Sequence, residues 1–322
     1  MPSRNWLSQT LTILSLLSFC VIGSGCAKRA SQCITCPGGG GPGPPVYPVH
    51  QRSPDWSRTG VIAYRDNGYV CVDSTSGGAF TDPSLRGIWM LDVATNSRRR
   101  LAPDGFTPSW SPDGTQIAFE YGKRIFTTPA DTLIASSIAT VPQVQYPRWS
   151  PDGQSISYSS GLGPAGSIWI ARLDGSAHRL LRRNAFLADW YPSGTSIICS
   201  GWLDSIGGKG GILSVDVSTG LARLLYSSAP DVLVWPRVSP DGATVVFIQD
   251  GQLGRMNADG SNASPLTGLI GNSFSWSPDG SRIVFTRWDG ATNSATEGVL
   301  WLDSLATSGQ RQLTYHWSTQ CP

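Results

Sequence analysis

The five residues Trp-Ser-Pro-Asp-Gly occur three times, at 110–114, 149–153 and 276–280. Near-copies stand at 56–60 (WSRTG), 190–194 (WYPSG) and 238–242 (VSPDG). The six anchors, at 56, 110, 149, 190, 238 and 276, are spaced 38 to 54 residues apart. A repeat of that length constrains the fold more than any single residue does, because each unit must be one supersecondary element that buries its apolar faces against its neighbours.

Each unit has the same internal grammar. A short strand ends at the anchor. Ser-Pro-Asp-Gly follows as a tight turn: Pro presets φ, Asp hydrogen-bonds its own backbone, and Gly takes a positive φ. A β-branched strand comes next, as in Gln116-Ile117-Ala118-Phe119 and Arg282-Ile283-Val284-Phe285. A third strand follows, as in Ser167-Ile168-Trp169-Ile170, then a second turn and a closing strand. Regular hairpin turns with no helical period between them predict an all-β chain, specifically a six-bladed β-propeller of four-stranded antiparallel blades. Trp is placed to fill the gap between neighbouring blades. Asp113, Asp152, Asp241 and Asp279 are then structural turn residues. With 37 Gly, 23 Pro and 13 Trp, the composition fits many short strands and turns.

Three segments are expected: 1–25 as a signal peptide, 26–50 as a Gly/Pro-rich linker, and 51–322 as the propeller. Arg4 precedes an apolar run over 11–22 that is too short to span a bilayer. Gly23-Ser24-Gly25-Cys26 resembles the cleavage site of bacterial lipoproteins, in which the Cys becomes the lipidated N-terminus. That resemblance implies lipidation of Cys26, with Gly23 standing where the family usually has Leu, Val or Ile. An ordinary secretory cleavage nearer 27–30 is the alternative. Ala27 is similar to the outer-membrane sorting position. The periplasmic side of the outer membrane is thus the expected location, with a soluble periplasmic or secreted protein as the other option. The run PGGGGPGPPVYP at 37–48 has the composition of a tether.

WSPDG units with I-x-F strands, together with the NADGSN turn at 257–262 before Leu266-Thr267, resemble the TolB-type β-propeller family. The resemblance spans about residues 50–316. It implies a role in binding partners at the cell envelope. Two departures limit the inference. The α/β domain that precedes the TolB propeller is not expected between Cys26 and the first blade. No G-x-S-x-G elbow marks the hydrolase domain of the peptidase relatives.

One face of such a propeller carries the Ser-Pro-Asp-Gly turns; the other carries the longer loops. Insertions are expected on the second face at about 67–86 in blade 1, 201–209 in blade 4 (with Trp202) and 288–297 in blade 6 (with Trp288). Loops on a rigid scaffold are where binding concentrates. The residue before each anchor is polar: Asp55, Ser109, Arg148, Asp189, Arg237 and Ser275. Tyr146 and Trp235 lie two positions upstream of Arg148 and Arg237. The candidate binding set is therefore Arg148, Asp189, Arg237, Tyr146, Trp235, Trp202 and Trp288. A self-satisfied ring of salt bridges is the competing reading of its charged members.

No catalytic set, metal site or cofactor is expected. The three His, at 50, 178 and 316, are scattered, whereas lyases with related propellers use clustered His and a metal. Cys33 and Cys36 form an isolated C-x2-C. Ring closure brings the tail beside blade 1, so a Cys71–Cys321 disulfide is expected, and Cys199 is expected as a buried thiol. The Arg98–Arg100 and Arg179–Arg183 runs fall on outer strands, where charge guards an exposed edge. A net charge of +2 gives no field suited to nucleic acid. The expected protein is a monomer that touches the membrane only through its anchor and binds an envelope protein or glycan. The alternatives are a small-ligand binder, or a carbohydrate- or peptide-processing enzyme, with its site in the axial channel.

Overall fold

A computed structural model describes residues 51–72, 79–81, 83–132, 136–139, 144–161, 165–174, 176–203, 210–227, 235–249, 252–287, 300–305 and 309–314. The signal, the linker, Trp288 and Cys321 lie outside the described residues, so lipidation and the Cys71–Cys321 bond do too.

The Ser-Pro-Asp-Gly turns fold each unit into a hairpin, and the strands on either side build six blades. Blade 1 comprises β1 (Gln51–Trp56), β2 (Val61–Asp66), β5 (Gly87–Asp92) and β6 (Arg98–Pro103). A two-stranded hairpin, β3 (Tyr69–Val72) and β4 (Ala79–Thr81), occupies its insertion. Blade 2 is β7 (Phe106–Trp110), β8 (Gln116–Tyr121), β9 (Arg124–Pro129) and β10 (Ser136–Ala139). Blade 3 is β11 (Val144–Trp149), β12 (Ser155–Ser160), β13 (Ser167–Arg172) and β14 (His178–Arg183). Blade 4 is β15 (Ala185–Trp190), β16 (Ser196–Trp202), β17 (Gly210–Asp216) and β18 (Ala222–Ser227). Blade 5 opens with β19 (Arg237–Val238), β20 (Thr244–Gln249) and β21 (Gln252–Asn257). Its fourth strand is the first half of β22 (Ser264–Trp276), whose second half is the first strand of blade 6. Blade 6 ends with β23 (Arg282–Arg287), β24 (Leu300–Ser304) and β25 (Arg311–Gln312). All the strand pairs are antiparallel, so the expected fold class holds.

The core lies between blades. Each interface has its own apolar cluster: Ile88 with Trp110 between blades 1 and 2, Tyr158 with Ala118 between 2 and 3, and Ile170 with Trp190 between 3 and 4. Ile198 with Val245 joins blades 4 and 5, and Val246 with Trp276 joins 5 and 6. Leu91 with Leu302 closes the ring between blades 6 and 1. Two backbone-to-hydroxyl bonds reinforce that closure: Ser53 N donates to Ser273 Oγ at 3.0 Å and Trp56 N to Ser275 Oγ at 3.2 Å.

The turns show why the motif repeats. In each of four turns the Ser hydroxyl donates to the Asp carboxylate two residues on, and a backbone N–H beyond the Gly donates to the same carboxylate. The Gly has φ of 74°, 69°, 76° and 69° in these four copies. Only Gly adopts that region without cost. These bonds hold all four Asp below the usual carboxylate range, Asp279 at about 2. The structural role expected for them is what the geometry displays.

The basic runs do fall on fourth strands, and they do more than carry charge. Arg99 of blade 1 donates to Ala130 O of blade 2, and Arg179 of blade 3 donates to Val217 O of blade 4. Each arginine caps a carbonyl of the next blade at the outer rim.

Candidate functional site

The first strand of every blade lines the axis, and two of its positions define the channel. The position before the anchor forms one tier near the Ser-Pro-Asp-Gly turns. The position three before the anchor forms a second tier nearer the long loops.

The turn-side tier is stitched together in two ways. At three interfaces the tier side chain, that of Asp55, Asp189 or Ser275, accepts the backbone N–H of the next anchor. Trp110 N donates to Asp55 Oδ2 at 2.7 Å, Val238 N to Asp189 Oδ2 at 3.1 Å, and Trp56 N to Ser275 Oγ. At the other three interfaces the next indole N–H donates to the tier residue's backbone carbonyl. Trp149 reaches Ser109 O at 3.1 Å, Trp190 reaches Arg148 O at 3.2 Å, and Trp276 reaches Arg237 O at 3.3 Å. The first mode leaves the indole N–H of Trp56 and Trp110 buried without a partner among the described residues.

The structure brings Asp55, Arg148, Asp189 and Arg237 together. Arg148 Nη1 lies 3.2 Å from Asp55 Oδ1, and Arg237 Nη1 lies 3.4 Å from Asp189 Oδ1. Arg148 and Arg237 are 6% and 5% exposed. Burial pushes both carboxyls up, Asp189 to about 7. The Arg148 charge and the backbone N–H bonds pull the other way. The charged members of the candidate set are thus mutually paired. A cavity of about 310 Å³ opens at this end, lined by Trp56, Trp110, Trp276, Asp189, Arg237 and Ser275 among others. Arg237 Nε has no partner among the described residues.

The loop-side tier is built differently. Ser53, Thr107, Tyr146 and Leu187 have φ of 52°, 45°, 54° and 55°. Each lies where the register between the first two strands shifts. Such a bulge re-aims the side chain it carries. Left-handed backbone at Tyr146 or Leu187 costs of order 1–3 kcal/mol, so packing must hold it. Trp235 keeps the regular ladder, bonding Ile248 in both directions at 3.3 Å. The rings of Tyr146 and Trp235 meet edge-on at 5.0 Å, across the axis from blade 3 to blade 5, against Phe186 and Leu187.

Blades 1 and 2 add charge to this rim. The Arg65 guanidinium sits 3.8 Å over the Phe106 ring and donates to Gly105 O. Burial raises the Glu120 carboxyl to about 7, with Thr107 and Arg65 working against it. Arg65, Glu120 and Phe106 were not expected site residues. The signal lay in an alignment of the second strands, where blades 3, 4 and 6 carry Ser159, Ser200 and Thr286 opposite the first strand. Blades 1 and 2 carry Arg65 and Glu120 there.

One expectation is corrected. Trp202 is not in an insertion: β16 runs through it, it pairs with Gly210, and it is 6% exposed beneath Phe186. A large apolar ring at a strand end is more stable packed than presented to solvent. The blade 4 insertion accordingly begins at 203. Cys71 stands in β3 opposite Phe80, within the blade 1 insertion as expected, next to a register shift between Tyr69 and Cys71. Cys199 is fully buried between blades 3 and 4, its thiol pushed up to about 12, as expected of a structural thiol. His178 stacks on Trp169 at 5.0 Å on an outer strand, away from the channel. Among the described residues no group of three or more His, Cys, Asp or Glu could hold a metal ion.

Comparison with known proteins places this geometry. A search of solved structures finds a putative TolB from Agrobacterium tumefaciens, 19% identical, with a TM-score of 0.58 over 70% of this chain and 87% of that one. TolB from Acinetobacter baumannii is 21% identical with a TM-score of 0.50, covering 65% of this chain and 52% of its own. An oligogalacturonate lyase in complex with manganese is 12% identical with a TM-score of 0.55, covering 84% and 80%. At these identities the likeness shows the fold. No curated protein sequence matches the chain. The family model of the PD40 TolB beta propeller domain matches residues 100–318, about two thirds of the chain, so this protein belongs to the TolB β-propeller domain family.

Proposed function

We propose that this protein is an exported, lipid-anchored propeller scaffold that binds an envelope protein or glycan on its loop face. The observation that carries the reading is a contrast within one strand. Turn-side positions repeat or pair off with one another, while the loop-side tier sets three large side chains, Tyr146, Leu187 and Trp235, on one half of the ring against three small hydroxyl residues, Ser53, Thr107 and Ser273, on the other. A rigid frame with divergent inward side chains is the usual layout of a binding surface. A binding role rather than catalysis fits the channel carboxylates, since Asp55 and Asp189 are each held by an arginine and a backbone N–H. The anchor rests on Cys26 and its flanking small residues. The TolB neighbours support an envelope setting.

The test is crosslinking in the native host with a C-terminal tag, followed by mass spectrometry. One envelope partner recovered reproducibly through loop-face residues is the expected result. Failure to recover any partner from folded protein would shift the reading to a ligand in the turn-side cavity. That second reading is favoured by the unpartnered Arg237 Nε beside the 310 Å³ space. Replacing Cys26 with Ser should release the protein from membranes, and retention would refute the anchor.

A further inference from the structure

Three large apolar side chains are exposed among the described residues: Phe106 at 42%, Tyr121 at 48% and Leu221 at 73%. The first two share the loop-face end of the seam between blades 1 and 2. The Tyr121 ring rests edge-on against Phe126 at 6.1 Å, and Phe106 is covered on one side by Arg65. Each ring is fixed from behind and leaves area open to solvent. The loop of blade 2 here is the two-residue turn Gly122-Lys123, with φ of 55° and 65°, so the blade's own connection does not cover them.

The chain itself enters the propeller beside this patch. Gln51 pairs with Asp66 and Arg52 with Arg65, the residue lying over Phe106. Pro48 is three residues upstream, within about 10 Å of that entry point even when fully extended. The segment arriving there, GPGPPVYP at 41–48, has four prolines and one tyrosine. Such sequences favour the extended polyproline II form, which docks on aromatic surfaces at low entropic cost because it is already stiff.

We propose that residues 41–48 of this chain dock on the Phe106–Tyr121 surface at the seam of blades 1 and 2. Tethering supplies the affinity that so small a surface lacks: a short linker holds its segment at millimolar effective concentration, so a contact of millimolar strength is occupied most of the time. Docking there fixes which face of the propeller looks back along the tether. It lays the linker along one side of the channel's loop-face rim. The inference does not depend on the identity of the partner or on the anchor.

The experiment places a photoreactive benzoyl-phenylalanine at Tyr47 in the full mature chain. Irradiation should give an intramolecular crosslink to the tryptic peptide 101–123, which contains both rings. The paired substitution Phe106→Ala, Tyr121→Ala should lower that yield by roughly fivefold or more, the range expected from aromatic contacts. Since both rings are exposed, the variant should melt like the wild type, which separates lost docking from lost folding. Crosslinks spread evenly over the surface, crosslinks to a second copy, or a yield unchanged in the double variant would each overturn the proposal.

Discussion

The two ends of each first strand, two residues apart, follow opposite rules. At the anchor end the sequence repeats and every charge meets a counter-charge: Asp55 with Arg148, Asp189 with Arg237. At the rim end the sequence diverges, and Tyr146 and Leu187 hold left-handed backbone that large side chains seldom adopt. Repetition here marks what the ring needs in order to close. Divergence of side chain, carried on a bulge that blades 1 to 4 share, is what the proposed binding role would use. The bulged backbone also takes part in closure: Leu187 N donates to Ser159 Oγ of blade 3 at 3.0 Å, as Ser53 N does to Ser273 Oγ of blade 6, while the Trp149 and Trp190 stitches are made on the other side of the bulge.

The largest expected effect lies at the anchor end. Asp55→Ala leaves Arg148 buried without its partner and frees the Trp110 N–H. Breaking such a pair costs about 3–5 kcal/mol, to be read from urea unfolding. Replacing both residues with Leu should recover much of that loss. If Asp55→Ala cost less than about 1 kcal/mol, the paired ring would not be the structural half of the comparison.

The two stitching modes can be separated next. Trp149→Phe removes an indole N–H that bonds Ser109 O, while Trp110→Phe removes one with no partner among the described residues. The first should cost about 1 kcal/mol more than the second, the net worth of one hydrogen bond. Equal costs would mean that the choice between the two modes has no energetic content.

Titration sharpens the same contrast. Asp189 has a raised folded value of about 7 against an ordinary 3.8. The folded state therefore holds a proton that the unfolded chain has released, and stability falls as pH rises from about 4 to 7. Asp189→Asn should flatten that decline in melting temperature. Asp279 behaves oppositely: its folded value is about 2, so its contribution is present above about 4 and lost as pH falls toward 2. Asp279→Asn should remove a small part of the acid limb. The effect is small because the carboxylate faces solvent.

The smallest effect on stability belongs to the rim. Tyr146→Gly relieves the cost of its positive φ while losing the ring contact with Trp235, so stability should change by under about 1 kcal/mol. Partner capture should fall all the same. A large destabilisation would mean that Tyr146 is an interblade strut.

Much of this was legible in the sequence. Six anchors gave the blade count, and the turn chemistry of Ser-Pro-Asp-Gly placed each carboxylate correctly. The polar residue before each anchor was visible as a ring, though its pairing was not, because Asp55 and Arg148 belong to blades 1 and 3 and only closure brings them together. The bulges at Tyr146 and Leu187 left no trace, since neither residue advertises positive φ. Trp202 misled because a Trp beside Gly201 and ahead of a Gly-rich stretch looks like a loop, whereas the strand continues through it. The unbroken β22 was also hidden: its Gly268 and Gly271 suggest a break between two blades, and the structure carries one strand across.

The most direct test places the same photoreactive phenylalanine analogue at two positions of the tagged protein in its native host. One is Tyr146 on the loop-face rim; the other is Gln154, exposed on a turn. A discrete adduct to one envelope component from position 146, and none from position 154, is the predicted result. Capture from position 154 alone, or equal capture from both, would contradict the assignment of binding to the divergent end of the channel.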